Sequence, residues 1–179
     1  RDSADSGKLI INGVSIEDNI NIDKLRNKSI GFIFQFHNLI SELNLYENVS
    51  LPKMIAREQL DEEDLIELFE YFDLKNRMNS YPNDLSGGEK QRVAVMRAII
   101  NNPSIIVADE PTGNLDKENA LKMMSLFQKL NTEKKLTIII ATHDEHVFNI
   151  GHKKYQLVDG SLELVTVSYT HLTLPTNQC

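Results

Sequence analysis

Cysteine is almost missing from this 179-residue chain: the single one is the last residue, Cys179. An internal disulfide is therefore impossible, and a reducing cytosol is the setting that composition favours. No apolar run approaches the ~18 residues that a spanning helix needs, and no signal peptide is visible. Any link to a membrane must then come through a partner. Basic charge is also in short supply. Nineteen Lys and Arg against 26 Asp and Glu leave a net charge of -7 and a pI of about 5.2, which argues against a nucleic-acid-binding surface. The acids concentrate in Asp61-Glu62-Glu63-Asp64 and Glu67, the pattern of a solvated helix face. No internal repeat, low-complexity stretch or sustained heptad pattern is present.

What the chain does have is the run Leu85-Ser86-Gly87-Gly88-Glu89-Lys90-Gln91-Arg92. The glycines let backbone N–H groups face an anion, and the helix that follows points its positive dipole end at the same place. Val93, Met96 and Ile100 recur at helical spacing behind it. Taken alone, Ser86 could equally be a simple helix cap. The run Asn101-Asn102-Pro103 stops that helix. Ser104 to Ala108 is then a continuous apolar run, expected to be a parallel strand buried on both faces. It ends in Asp109-Glu110 and the turn Pro111-Thr112-Gly113.

Elsewhere the punctuation is equally clear. Lys8 to Gly13 reads as a strand entering an Asn-Gly hairpin turn. Ile30 to Phe34 is a short apolar strand closed by Gln35. Glu47-Asn48-Val49 leads into an apolar segment through Ile55. Asp61 caps a helix whose stripe is Leu65, Leu68, Phe69 and Phe72, assigned to packing. Asn79 to Asp84 is a loop broken by Pro82. Asp116 caps a helix with Ala120, Met123, Phe127 and Leu130 on one face. Leu136 to Ala141 is a second buried strand running into Thr142-His143-Asp144, and Tyr155 to Val165 forms a terminal hairpin about Asp159-Gly160. Strand–helix–strand alternation predicts an α/β fold with a parallel sheet, and ligands of such sheets gather at the carboxyl ends of the strands. Gln35, Asp109-Glu110 and His143 all sit at such ends.

Together, Leu85–Arg92 and Ile105–Asp116 (IIVADEPTGNLD) resemble the signature and Walker B motifs of ABC-type ATPases, most of all the group that serves lipoprotein-releasing and macrolide-exporting transporters. The resemblance runs from Gly7 to about Val165. It implies a P-loop NTPase sheet of ABC type, with an antiparallel β part and a helical subdomain over residues 41–100 that contains the signature motif. It implies ATP and Mg²⁺ as cofactors, a second ATPase subunit (a homodimer), an integral membrane permease, and a peripheral place on the cytoplasmic face of the membrane. By the same resemblance, Asp109 holds Mg²⁺ directly or through water, with Gln35 of the Q-loop contacting metal and attacking water. Glu110 activates that water, and His143 of the H-loop donates to the γ-phosphate. Ser86, Gly87, Gly88 and Glu89 meet the nucleotide held by the other subunit. Asp116 matches the D-loop at the dimer interface, a role compatible with helix capping. His37, His146 and His152 match nothing and are left structural.

One family element has no counterpart. Gly7-Lys8 is the only Gly-Lys pair, Leu9 stands where a P-loop needs Ser or Thr, and the upstream glycine is absent. The aromatic that stacks on adenine is absent too. The expectation is a chain that begins at Arg1 inside a longer protein, with residues 1–166 a truncated ATPase domain lacking its N-terminal strands and P-loop. Val167 to Thr176 reads as the translation of a sequencing adapter, so residues 167–179 are expected to be a non-native, dispensable tail. Two other functions compete. A chromosome-maintenance or repair ATPase shares the motifs but needs a long coiled coil between Gln35 and Ser86, which lie 51 positions apart (86 − 35). A catalytically incompetent dimerisation or interaction module is the alternative that remains.

Overall fold

A computed structural model of the protein describes residues 6–15 and 22–165. The expected start at Arg1, the end of the ATPase domain at residue 166 and the adapter-like tail at 167–179 lie outside these residues. The chain divides into two compact units, Arg1–His143 and Asp144–Cys179.

The first unit opens with a hairpin, β1 (Ile10–Ile11) and β2 (Val14–Ser15). Its turn places Asn12 at φ 51° and Gly13 at φ 79°, the paired left-handed conformation that makes Asn-Gly the favoured hairpin turn. Helix α1 (Ile22–Ser29) follows, with Asp23 in its first turn and Arg26 and Lys28 in its last, signs that complement the helix dipole. The central sheet is parallel, in the order β3 (Ile30–Ile33), β4 (Ile105–Asp109), β5 (Thr137–Ala141). Register pairs Ile33 with Ala108 and Asp109 with Ala141, so the three carboxyl ends lie together.

Between β3 and β4 run the helices of the expected helical subdomain: α2 (Leu45–Ala56), α3 (Glu62–Tyr71) and α4 (Gly87–Ile99), with 3-10 turns at Lys75–Arg77 and Pro82–Asp84. Asn44 and Asp61 cap α2 and α3 as their side chains allow. Leu65, Phe69 and Phe72 are buried and Leu68 is half-buried, as the helical stripe required. Helix α5 (Lys117–Lys134) crosses from β4 to β5 with Met123, Phe127 and Leu130 buried.

Two strand expectations are corrected. Neither β4 nor β5 is buried on both faces. Ile33, Ile106 and Ala108 point to the covered face, where α4 packs on β3. The opposite face carries Phe32, Val107 and Ile139. Phe32 is 38% exposed and Ile139 54%, while Val107 is half-buried. An all-apolar strand shows what could be covered. Among the described residues one face stays open.

The second unit holds α6 (Glu145–Ile150), capped by Asp144, and the antiparallel hairpin β6 (Tyr155–Val158) and β7 (Ser161–Leu164). Asp159 and Gly160 form its turn with positive φ at both positions.

Candidate functional site

Strand β4 ends at exposed Asp109 and the backbone turns sharply at Glu110, which has φ 45°. The Glu110 N–H donates to Ala141 O at 2.9 Å, and Gly113 N–H donates back to Glu110 O at 3.1 Å. This turn aims the Glu110 carboxylate at the segment leaving β5. There it accepts from Thr142 Oγ1 at 3.0 Å and from His143 N at 2.8 Å, and meets His143 Nδ1 at 2.6 Å. Burial alone would push the Glu110 carboxyl up. The His143 ring, its backbone N–H and the Thr142 hydroxyl outweigh that and hold it below the usual carboxylate range. The carboxylate is thus charged at neutral pH and engaged by three donors, which lower its basicity. His143 is the exposed half of the pair: its side chain is 85% exposed against 20% for Glu110.

Gln35 joins the same turn. It lies two residues past β3, half-buried. Its Nε2 approaches Asn114 Oδ1 at 3.5 Å, and Asn114 Nδ2 donates to Gln35 O at 2.9 Å. Gly113 makes the approach possible, because a Cβ there would sit 2.9 Å from Gln35 Nε2. Glu110, Gln35 and His143 are therefore brought to one edge of the sheet, as the sequence predicts.

The signature run is built on a capping box. Ser86 caps α4, its Oγ accepting from Glu89 N at 3.3 Å, while Glu89 Oε2 takes bonds from Ser86 N at 2.9 Å and from Ser86 Oγ at 2.8 Å. Bonds from the Ser86 backbone and then its hydroxyl hold the Glu89 carboxyl below its ordinary range, with Arg77 and Arg92 adding to the effect. Glu89, expected to face nucleotide, is here turned back onto Ser86. Gly88 abuts the start of α5, where a Cβ would lie 2.8 Å from Asn119 Oδ1. Asn119 is fixed by Asp116, whose carboxylate accepts from Asn119 N and Nδ2, both at 2.8 Å. These bonds hold Asp116 below its ordinary range and make it the N-cap of α5. Residues 110–119 thus touch the Gln35 loop, the signature glycine and the His143 segment.

Among the described residues no group of three or more His, Cys, Asp or Glu forms a metal cage. Mg²⁺ takes one or two protein oxygens and completes its shell with waters and phosphates. Asp109 and the Gln35 amide offer oxygens of the right chemistry. Four contributing residues were given no role from the sequence: Asn114 and Thr142, which lie inside the motif runs, and Asn119 and Arg97, the last donating from α4 to the carbonyls of His37 and Asn38. His37 lies near Lys90 and the Gly87 backbone of α4. Burial, then Lys90, lowers its pKa, and a hydrogen bond with the Gly87 backbone works the other way.

Comparison with known proteins fits this geometry. Residues 1–113 match the ABC transporter family. The lipoprotein-releasing system ATP-binding protein LolD of Bacteroides fragilis is 42% identical over 165 residues, covering 90% of this chain and 76% of that protein. The ABC transporter ATP-binding protein YtrE of Bacillus subtilis is 42% identical over 165 residues, covering 90% and 71%. The dimeric structure of a bacterial ABC transporter cassette aligns with TM-score 0.76 at 39% identity, over 90% of this chain and 73% of that one. A post-hydrolysis state of the same cassette, bound to ADP and Pi, aligns with TM-score 0.76 at 38% identity.

Proposed function

We propose a function from the premise that this chain belongs to the ABC transporter family of ATP-binding subunits: ATP-driven closure of a dimer that powers an integral membrane permease. The observation that carries the proposal is the Glu110–His143 pair at the carboxyl edge of the sheet, with Gln35 tied to the same turn through Asn114. Phosphoryl transfer needs an oriented water, donors on the γ-phosphate and a counter-charge. Glu110 would orient and deprotonate the water once His143 swings to the γ-phosphate. Asp109 and Gln35 would hold Mg²⁺, which supplies charge neutralisation at the phosphates. Ser86, Gly87 and Gly88 would close on a nucleotide carried by the partner, and Asp116 would line the dimer interface. The names of the LolD and YtrE relatives support the transport role, and the dimeric neighbour supports the pairing. No helix among the described residues is long and apolar enough to cross a membrane, so the permease would be a separate partner, met at the cytoplasmic face.

The chain contains no P-loop run, and β- and γ-phosphates ordinarily rest on that loop's N–H groups and Lys. This polypeptide would therefore complete the site of a partner and hydrolyse nothing alone. The test mixes it with a full-length relative whose own signature serine is replaced by a bulky residue. Hydrolysis is expected only in the mixture, and its loss when Ser86 and Gly87 are also replaced. An inert mixture in which the two chains still associate favours the second reading, a pure dimerisation module. Strong ATP binding by the chain alone contradicts both.

A further inference from the structure

The segment that follows Gln35 is fixed from several elements. Asn114 holds its start. Asn48, fully buried on α2, accepts from Ile40 N at 2.8 Å, and its Nδ2 lies 2.9–3.0 Å from the carbonyls of Ile40, Leu43 and Asn44. Between these anchors the backbone turns at Asn38, which has φ 49°. Two successive carbonyls there converge on one guanidinium: Arg97 Nη2 donates to His37 O at 2.8 Å and Nη1 to Asn38 O at 2.7 Å. A planar fork with fixed donor spacing suits two adjacent acceptors, and an ammonium does not reproduce it. Arg97 stands three helical turns after Ser86 on the same helix.

We propose that Arg97 is a positioning residue for Gln35, a rigid tie through which α4 carries the Gln35 loop whenever its Ser86 end moves. The proposal rests on Gln35 and Ser86 being site residues, and it deepens that assignment by naming what links them. Asn114 holds Gln35 to the turn after β4, and Arg97 holds the next residues to the signature helix. Displacement of α4 would then be felt at Gln35 without any contact between the two ends.

The experiment uses the chain itself without nucleotide, so failure of the ATP-dependent reading leaves the result interpretable. Nuclear magnetic resonance follows three signals: hydrogen exchange at the Ile40 N–H, exchange at the Leu45 N–H, which is bonded to Ser80 O at 3.0 Å, and the Gln35 side-chain amide. Arg97→Met should accelerate Ile40 exchange about tenfold with Leu45 unchanged, and should move the Gln35 amide signal. Arg97→Lys, one donor group for two carbonyls, should fall between. Ser86→Ala should shift the Gln35 amide in the parent chain and leave it unmoved in the Arg97→Met background. Equal acceleration at Ile40 and Leu45 overturns the proposal, since it marks general destabilisation. So does an unmoved Gln35 signal in Arg97→Met, or a response to Ser86→Ala that is absent from the parent or persists without Arg97. Should Arg97→Met fail to fold, Arg97→Lys decides alone: unchanged Ile40 exchange and Gln35 signal reject the tie.

Discussion

Glu110 adopts a left-handed backbone, φ 45°, that costs an ordinary side chain roughly 1–2 kcal/mol. The bonds from Thr142 and His143 offset that cost and fix where the carboxylate points. Glu110→Gln keeps the shape and cannot take a proton. In this chain joined to the P-loop-bearing N-terminal segment of a relative, turnover should drop by at least ~100-fold. ATP-dependent dimers should persist in size-exclusion chromatography. Hydrolysis at the parent rate would remove Glu110 as the base. Glu89 presents the opposite case. Its carboxylate completes the Ser86 box but sets a negative charge where an anion would meet the α4 N-terminus. Glu89→Gln retains the box and removes the charge. In the mixed assembly the ATP concentration for half-maximal hydrolysis should therefore fall; a rise would mean that the carboxylate helps to hold nucleotide.

Among the elements, α3 and α5 meet through Tyr71, which donates to Glu133 at 2.8 Å with Lys129 4.0 Å from the ring centroid. Burial first, then the Glu133 bond and charge, pushes the Tyr71 hydroxyl up to about 12. The folded chain keeps this proton where the unfolded chain, near ~10, has released it. The contribution is intact below ~10 and is lost as pH rises from there toward 12. In an ultraviolet titration, one of the five tyrosines should ionise last, and Tyr71→Phe should delete that late step. A late step that survives the substitution assigns it to another tyrosine. Elements with a periodic stripe or a cap were legible from sequence, such as α3 behind Asp61 and α5 behind Asp116. Helix α1 was not, because only Ile22 and Leu25 of Ile22–Ser29 are apolar, too few to extend a stripe over successive turns. Helix α6 was missed because six residues give too short a period. The strand-end acids and the Ser86 run could be read as motifs. Their partners could not, since Thr142 lies 32 positions from Glu110, Asn114 lies 79 from Gln35, and Arg97 lies 59 from Asn38. Chain spacing carries no record of contacts that only the parallel sheet creates.

For the whole molecule, residues 167–179 lack any core-facing periodicity, so truncation after Thr166 should leave the melting temperature of the chain unchanged. A sharp fall in a thermal scan would show that the tail packs on the domain. The open sheet face has a calorimetric consequence. The heat capacity of unfolding follows the apolar surface newly exposed to water, ~12–15 cal/mol/K per residue in ordinary domains. Phe32 and Ile139 are already partly wet when the chain is folded, so they have less hydration left to gain. Scanning calorimetry should give a value per residue below that range. The stability curve should then be flatter, with cold weakening the fold less than it weakens a domain of the same length whose sheet is covered on both sides.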